Sequence, residues 1–443
     1  MNINRQIALF FLAFFLLNPF CYTFAQKKEQ GFQYFEGNYK KMFIEAESFF
    51  LYGDYNEALY LYKLLKKHFQ EHRGIQYRIG QCFLELPYNK KKSIEAFEKI
   101  KQFSSKKCEE FTFKHSCVPQ DVYYFLGDAY RINEQLDKAI EAYEHFIAIC
   151  DTTLYDITLP KEQIRACKNA KHAIQNPISL KINPLDKNIN DNYPNTNPVV
   201  SGNDSVLIYT TKLKFYDAIY FSTKNDSGWN DPVNIIPQLE VDDNTYPTAL
   251  SFDGKYLLLL RNEDYKSDIC CSYYKDGRWT PIEKLNSNIN TKYWESHACI
   301  TKDNQTLYFT SNREGGFGGL DIYKSIKDEN GEWGEAINLG NTINTKHDEQ
   351  TPFITSDGKK LYFSSYGHHN IGGYDIFIAE KNDQEQWNKP VNIGYPLNTP
   401  DDDLFFVPHQ NGKTGYYSFY SKNNKVGKED IYIITFNPKQ NTP

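Results

Sequence analysis

The sequence predicts a two-part fold, a stack of paired helices followed by a five-bladed β-propeller of four-stranded antiparallel blades. Apolar residues recur with helical spacing up to about residue 176 and with a two-residue period afterwards, and each half repeats itself. Aromatic residues make up 16% of the chain, with 34 Tyr and 31 Phe against two Met. Most of those rings lie in short alternating runs, where strands are their natural place. The expected boundaries are a leader over 1–25, a helical repeat domain over 26–176, the propeller over 177–437 and a tail over 438–443.

The leader expectation comes from Arg5, the apolar run that follows it and the small residue Ala25, the pattern of a secretory signal peptide. Cys21 raises lipid modification, but the bulky Pro19 and Phe20 before it favour cleavage after Ala25. No later stretch approaches the length of apolar sequence that spans a bilayer. Without residues 1–25 the chain keeps 49 Lys+Arg against 56 Asp+Glu, a formal charge of −7, which argues against a nucleic-acid partner. Of nine cysteines, eight remain after Cys21, and an exported chain can oxidise them. Cys108 with Cys117, and Cys150 with Cys167, are candidate disulfides; buried free thiols are the alternative. There is no CxxC pair, and the adjacent Cys270 and Cys271 point to opposite faces of a strand, so zinc is not expected.

In the first half a small residue (Ala46, Gly80, Gly127) is followed about twelve positions later by another (Ala58, Ser93, Ala139), and four further on by an aromatic (Tyr62, Phe97, Tyr143). Small residues there let two antiparallel helices approach closely while the ring fills the gap between successive pairs. Segments such as "LGDAYRINEQLDKAIEAYEHF" resemble the tetratricopeptide repeat over roughly residues 32–150. Ala46 to Gly80 is that family's step of 34; Gly80 to Gly127 is 47, with an insertion carrying Cys108 and Cys117. The amphipathic "KEQIRACKNAKHAI" is expected to cap the stack.

In the second half, aspartates that open a strand recur at Asp217, Asp268, Asp321, Asp375 and Asp430, in steps of 51, 53, 54 and 55. Trp229, Trp279, Trp333 and Trp387 each follow shortly before a fourth strand, and are expected between blades. Upstream of each aspartate a hairpin tip carries Asn-Asp, Asp-Gly, Asp-Asn, Asp-Gly or Asn-Gly, dipeptides that suit a two-residue turn. Each unit therefore holds four short strands, the make-up of a propeller blade. An apolar-Asn pair recurs between blades at Ile189-Asn190, Ile289-Asn290, Ile343-Asn344 and Leu397-Asn398, with a degenerate copy at Leu239-Glu240. None follows the fifth unit, so residues 178–183 are expected to supply that blade's missing fourth strand and remove a bare edge.

The joint "SNREGGFGGLDIYKS" packs four glycines in front of Asp321. A phosphate-cradling loop needs a helix after it, and here a strand follows. A calcium-binding nonapeptide coil does not match the spacing. The reading adopted is a tight, left-handed-tolerant bend that Asp321 caps, or in which Asp321 pairs with Arg313. His368 and His369 occupy the same joint of the fourth unit and are read as solvated turn residues, while His297 and His347 could approach the ring axis.

Units such as "LYFTSNREGGFGGLDIYKS" resemble the WD40-like propeller repeats of exported bacterial proteins related to TolB, over residues 178–437. Joined to tetratricopeptide-like repeats, the organisation is similar to envelope proteins of the type IX secretion and gliding apparatus. Those continue into an OmpA-like peptidoglycan-binding domain; this sequence ends at Pro443 after the propeller, so anchoring through such a domain is not expected. The resemblance implies a non-catalytic exported scaffold, periplasmic or at the cell surface and associated with the outer membrane. Its partners would be envelope proteins, peptidoglycan-associated ones among them, and no cofactor is implied. The alternative is a five-bladed propeller that binds or hydrolyses glycans. Hydrolysis needs two carboxylates about 5–9.5 Å apart. Asp348, Glu349, Asp401, Asp402 and Asp403 are the candidates, read here as solvated loop charge. No Gly-x-Ser-x-Gly nucleophile elbow occurs.

Overall fold

The computed structural model describes residues 38–108, 112–114, 116–242, 244–263, 266–409, 412–420 and 429–437. The expected leader, Cys21, Asn411 and the tail lie outside these. Two compact units divide between Gln70 and Glu71. The change from helix to strand lies elsewhere, after residue 175.

The first unit is a helical hairpin, α1 (Tyr39–Leu51) and α2 (Tyr55–His68). Asn38 and Asp54 cap the two helices through their side chains, each accepting an orphan backbone N–H of the first turn. Ala46, Ala58 and Tyr62 are fully buried, with the Tyr62 ring edge-on to Phe43 and its hydroxyl donating to Glu47.

The second unit opens with α3 (Arg73–Glu85), α4 (Lys91–Glu98), α5 (Val122–Ile132), α6 (Leu136–Ile149) and α7 (Thr158–Gln175). A Cβ on Gly80 would lie 2.5 Å from the Phe97 ring, and one on Gly127 2.5 Å from Tyr143, so each aromatic stands on the glycine of its own helix pair. Phe97 also stacks on Phe125 of the next pair, and one ring thereby joins two pairs. A disulfide joins Cys108 and Cys117 in the connection from α4 to α5. Cys150 and Cys167, by contrast, are free. Cys167 lies about two and a half turns inside α7. There it is sealed in the core beside Tyr143, and burial pushes its thiol up to about 12.

The rest of the unit is the five-bladed ring, each blade running outward from its innermost strand. Blade one is β2 (Asn195–Val200), β3 (Val206–Lys212) and β4 (Asp217–Asn225), with its fourth strand broken into β5 (Gly228–Trp229) and β6 (Val233–Asn234). Blade two repeats this as β7 (Thr245–Leu250), β8 (Tyr256–Glu263), β9 (Lys266–Lys275), β10 (Arg278–Trp279) and β11 (Glu283–Lys284). Blade three is β12 (Glu295–Ile300) to β15 (Ile337–Asn338), and blade four is β16 (Glu349–Ile354) to β19 (Val391–Asn392). Blade five has β20 (Val407–His409), β21 (Thr414–Tyr420) and β22 (Glu429–Phe436), and its fourth strand is β1 (Leu180–Pro184) from before blade one. β1 pairs antiparallel with β22, Leu180 opposite Phe436 through Pro184 opposite Tyr432, so the ring closes on the segment the sequence points to.

The hairpin tips differ from the two-residue turns expected. Ser201 N donates to Val206 O, and Ser251, Thr301 and Thr355 repeat the bond, leaving four residues in each loop. Only the second residue of each dipeptide (Asp204, Gly254, Asn304, Gly358) has positive φ. The first accepts the N–H two residues on, as Asp253 does from Lys255, and the Ser or Thr hydroxyl accepts the N–H five residues on, with Ser251 also sharing the Lys255 N–H, an arrangement that holds a wider loop.

The recurrent asparagine is an inter-blade stitch. Asn344 Oδ1 accepts Ile322 N at 2.8 Å while its Nδ2 donates to Ile322 O at 3.0 Å, satisfying a buried peptide of the preceding blade. Asn290 does the same for Ile269, Asn398 for Ile376, and Asn190 for Ile431 across the ring closure. Where the sequence has Glu240 the connector instead forms a short helix, α8 (Ile236–Leu239), that ends in a left-handed residue. Asn344→Ala should lower stability by about 1–3 kcal/mol, since it strands the buried Ile322 N–H, while the Ile322 carbonyl keeps the Leu339 N–H. Urea unfolding against the wild type measures it, and a loss below about 1 kcal/mol would show that water replaces the amide.

Candidate functional site

The face of the ring that carries the blade connectors and the joints between second and third strands holds the strand-opening aspartates, the acidic connector residues and His347, His368 and His369. Asp321 caps its joint: Phe317 N donates to Oδ2 at 2.6 Å and Gly318 N to Oδ1 at 3.1 Å, with Asn338 adding a third donor. Asp375 accepts from Ile371 N and Asn392 in the same way. Burial pushes Asp375 up to about 8, against the pull of those donors. Blade two has no glycine joint, and lysines take its place. Burial alone would raise Asp268, but Lys284 at 2.6 Å and Lys266 at 2.9 Å hold it below the ordinary carboxylate value. The Tyr246 hydroxyl of blade two donates to Asp217 at 3.4 Å, and Asp430 is buried at the start of the strand that pairs with β1.

The glycines answer to a close neighbour more than to a turn. Only Gly315 of the four has positive φ. A Cβ on Gly318 would come within 2.1 Å of His347 O, and one on Gly372 within 2.4 Å of Thr399 O, so the joint lies against the backbone of the next blade's connector. Leu320 N then donates to Asp348 and Tyr374 N to Asp402, binding each joint to the following blade. Arg313 does not pair with Asp321; its guanidinium reaches Ile289 O at 2.7 Å and Glu295 at 3.4 Å. In blade four His368 replaces it on the corresponding carbonyl, Ile343 O at 2.8 Å, and burial lowers its imidazole pKa. His368 is thus a half-buried structural group and not a solvated turn residue, whereas His369 is exposed.

Two of the acidic connector residues, Glu349 and Asp403, are not the solvated charge expected, whereas Asp348 and Asp401 are partly buried and Asp402 is exposed. Glu349 is fully buried and Asp403 is 4% exposed. Glu349 accepts from Thr345 N, Thr345 Oγ1 and Ser365 Oγ, and Asp403 from Thr399 N, Thr399 Oγ1 and Tyr417 Oη, so both oxygens of each carboxylate are engaged. Burial drives both upward, Glu349 to about 7. A carboxyl raised from 4.5 to about 7 on folding favours the folded state below 4.5, and that contribution is lost as pH rises through 7. Wild-type Tm should therefore fall more steeply between about pH 5 and about pH 8 than that of Glu349→Gln. Equal slopes would mean that Glu349 is ionised throughout.

What covers these residues is the helical region. Lys90 binds Asp401 at 2.5 Å, Arg131 donates to Pro400 O, Gln163 to the Tyr366 hydroxyl, and Asn169 to Asn370 O at 2.8 Å. Glu162 of α7 meets Lys346 at 2.8 Å and His347 at 3.1 Å, which draws His347 toward the helices and away from the ring axis. Ile371, at the tip of the blade-four joint, is 3% exposed within the helical core. The helices of this second unit therefore dock on blades four and five.

The axis itself is filled. The His297 ring meets Phe405 edge-on at 5.4 Å, Phe405 meets Phe353 at 5.6 Å, and burial pushes His297 down to about 4. Beyond them a cavity of about 70 Å³ is lined by all five inner strands, including Val199, Leu250, Cys299, Phe353 and Val407. Among the described residues no three His, Cys, Asp or Glu side chains stand together as metal ligands, and no helix is long and apolar enough to cross a membrane.

No protein-family model matches the chain, and no curated protein matches it. Solved structures similar to it include TolB from Acinetobacter baumannii, at 17% identity and a TM-score of 0.34 over 55% of this chain and 55% of that one. This chain thus spans about half the length of that TolB, 55% of it. A putative TolB from Agrobacterium tumefaciens is 16% identical, with a TM-score of 0.34, over 55% of this chain and 74% of that one. A thermostable family-43 glycoside hydrolase is 12% identical, with a TM-score of 0.38, over 56% of this chain and 95% of that one. These likenesses concern the propeller fold alone.

Proposed function

We propose that the chain is a non-catalytic, exported scaffold of the bacterial cell envelope whose helical and ring surfaces hold protein partners. The observation that carries this reading is the commitment of the ring's buried carboxylates. Glu349 and Asp403 bind the turns of their own connectors with both oxygens, which argues against these two acting as acid and nucleophile. The tetratricopeptide-like small-aromatic pairs support a partner-binding role for the helices, and the first hairpin exposes Ile44, Leu51, Tyr52 and Tyr60. The combination of such helices with this kind of propeller supports a place beside a type IX secretion or gliding apparatus, in the periplasm or at the outer membrane.

The test is crosslinking and co-purification of the full chain from the native envelope, with Tyr52→Ala/Tyr60→Ala beside the wild type. One partner recovered at constant stoichiometry and lost from the double variant supports the reading. Hydrolysis of a glycan that Glu349→Gln abolishes without loss of fold would replace it with the enzymatic alternative.

A further inference from the structure

The joints of blades three and four are structural equivalents that differ in one respect. Ile371 at the tip of the blade-four joint is buried beneath the chain's own helices, while Phe317, at the same place in blade three, is 52% exposed. Phe317 forms one wall of a cleft of about 580 Å³ between blades three and four. Its other walls include Asn341, Thr342, Lys346, His368 and Lys389. That volume falls within the range of small-ligand sites, about 300–1,000 Å³.

The chemistry of the walls is one-sided. Among the described residues that line the cleft, Lys346 and Lys389 are the charged ones and none is a carboxylate. Lys346 shares its charge with Glu162, but Lys389, Asn341 and Thr342 have no side-chain hydrogen bond or ion pair among the described residues. The neighbouring Asn344 and Thr345 are committed to Ile322 and Glu349 and give the cleft a rigid floor. The site thus offers one aromatic surface, a free amide and hydroxyl, and cationic heads. An amphipathic helix would need an extended apolar strip, and Phe317 is the one large apolar side chain here.

We propose that this cleft binds an acidic saccharide, a pyranose ring carrying a carboxylate, with the sugar face on Phe317, hydroxyls toward Asn341 and Thr342, and the carboxylate on Lys346 and Lys389. This is independent of the scaffold reading above and requires no chemistry at the ring axis.

Calorimetric titration of the full chain with digalacturonate, with neutral methyl glucoside and with inorganic phosphate tests it. Digalacturonate should bind saturably below about 10 mM, at least about tenfold tighter than either other probe. Phe317→Ala should weaken it about tenfold, the worth of one well-placed aromatic contact. Lys389→Gln should remove the preference for the acidic sugar over the neutral one. Both side chains are exposed, so unchanged melting of the variants excludes misfolding. No saturable binding, affinity equal to that of the neutral glycoside, phosphate binding as tightly, or an effect of neither substitution would each overturn the assignment.

Discussion

Replacing residues 180–184 by a Gly/Ser linker of equal length is expected to destabilise the ring by about 3–5 kcal/mol, at roughly 1 kcal/mol for each net hydrogen bond lost. The estimate rests on the ladder and not on apolar burial, because none of the five side chains of β1 is fully buried, and Ile182 is 37% exposed. What the strand supplies is pairing for β22, whose exposed edge would otherwise invite association with other chains. Denaturant unfolding followed by Trp fluorescence gives the energy, and light scattering reports association. Asn190 would still hold Ile431 across the closure, so adding Asn190→Ala should deepen the loss. Unaltered unfolding of the linker variant would deny β1 any part in closing the ring.

Trp279→Ala is the second large effect, about 3–5 kcal/mol. Trp279 is 1% exposed and the largest of the fully buried side chains, with Phe221 of the preceding blade edge-on at 5.9 Å and Tyr274 at 5.3 Å. Its removal opens a cavity at a blade junction that neither neighbour can fill. Trp229 and Trp333 are also buried, but Trp387 is only partly so, its ring on Tyr308 at 6.4 Å. Trp387→Ala should therefore cost about half as much or less. The indole N–H of Trp279 meets no acceptor among the described residues, so Trp279→Phe should be markedly milder than the alanine change. Thermal melts of the three variants rank them, and equal losses for Trp279→Ala and Trp387→Ala would contradict the burial argument.

The ring was legible because its information is local and repeated. An aspartate opening a strand, a tryptophan after it and an asparagine before the next blade recur at near-constant steps, and a five-unit count short of one strand points to its donor. The glycine-aromatic pairs Gly80–Phe97 and Gly127–Tyr143 were legible for the same reason, as one spacing met twice. The docking of the helices on blades four and five was not. Lys90 and Asp401, or Asn169 and Asn370, stand far apart in the chain, and no periodicity connects a helix face to a connector loop. That missing contact is why Asp401 read as solvent-facing: an acid in a run of three looks hydrated until something covers it. His347 was misjudged likewise, since the acid that draws it off the axis, Glu162, belongs to a helix of the other half. Tip dipeptides report the sign of φ but not loop length, which Ser201, Ser251, Thr301 and Thr355 set from outside the dipeptide.

The seam has a consequence for how the molecule is made. Its outermost vane joins a segment synthesised immediately after the helices to the last strand described, so the circle stays open until four complete vanes have been built in between. The connectors that receive the helices belong to the last two vanes, so the helices too wait for their seat. Ring closure therefore comes late, and a chain stalled anywhere before its final vane would hold no closed ring.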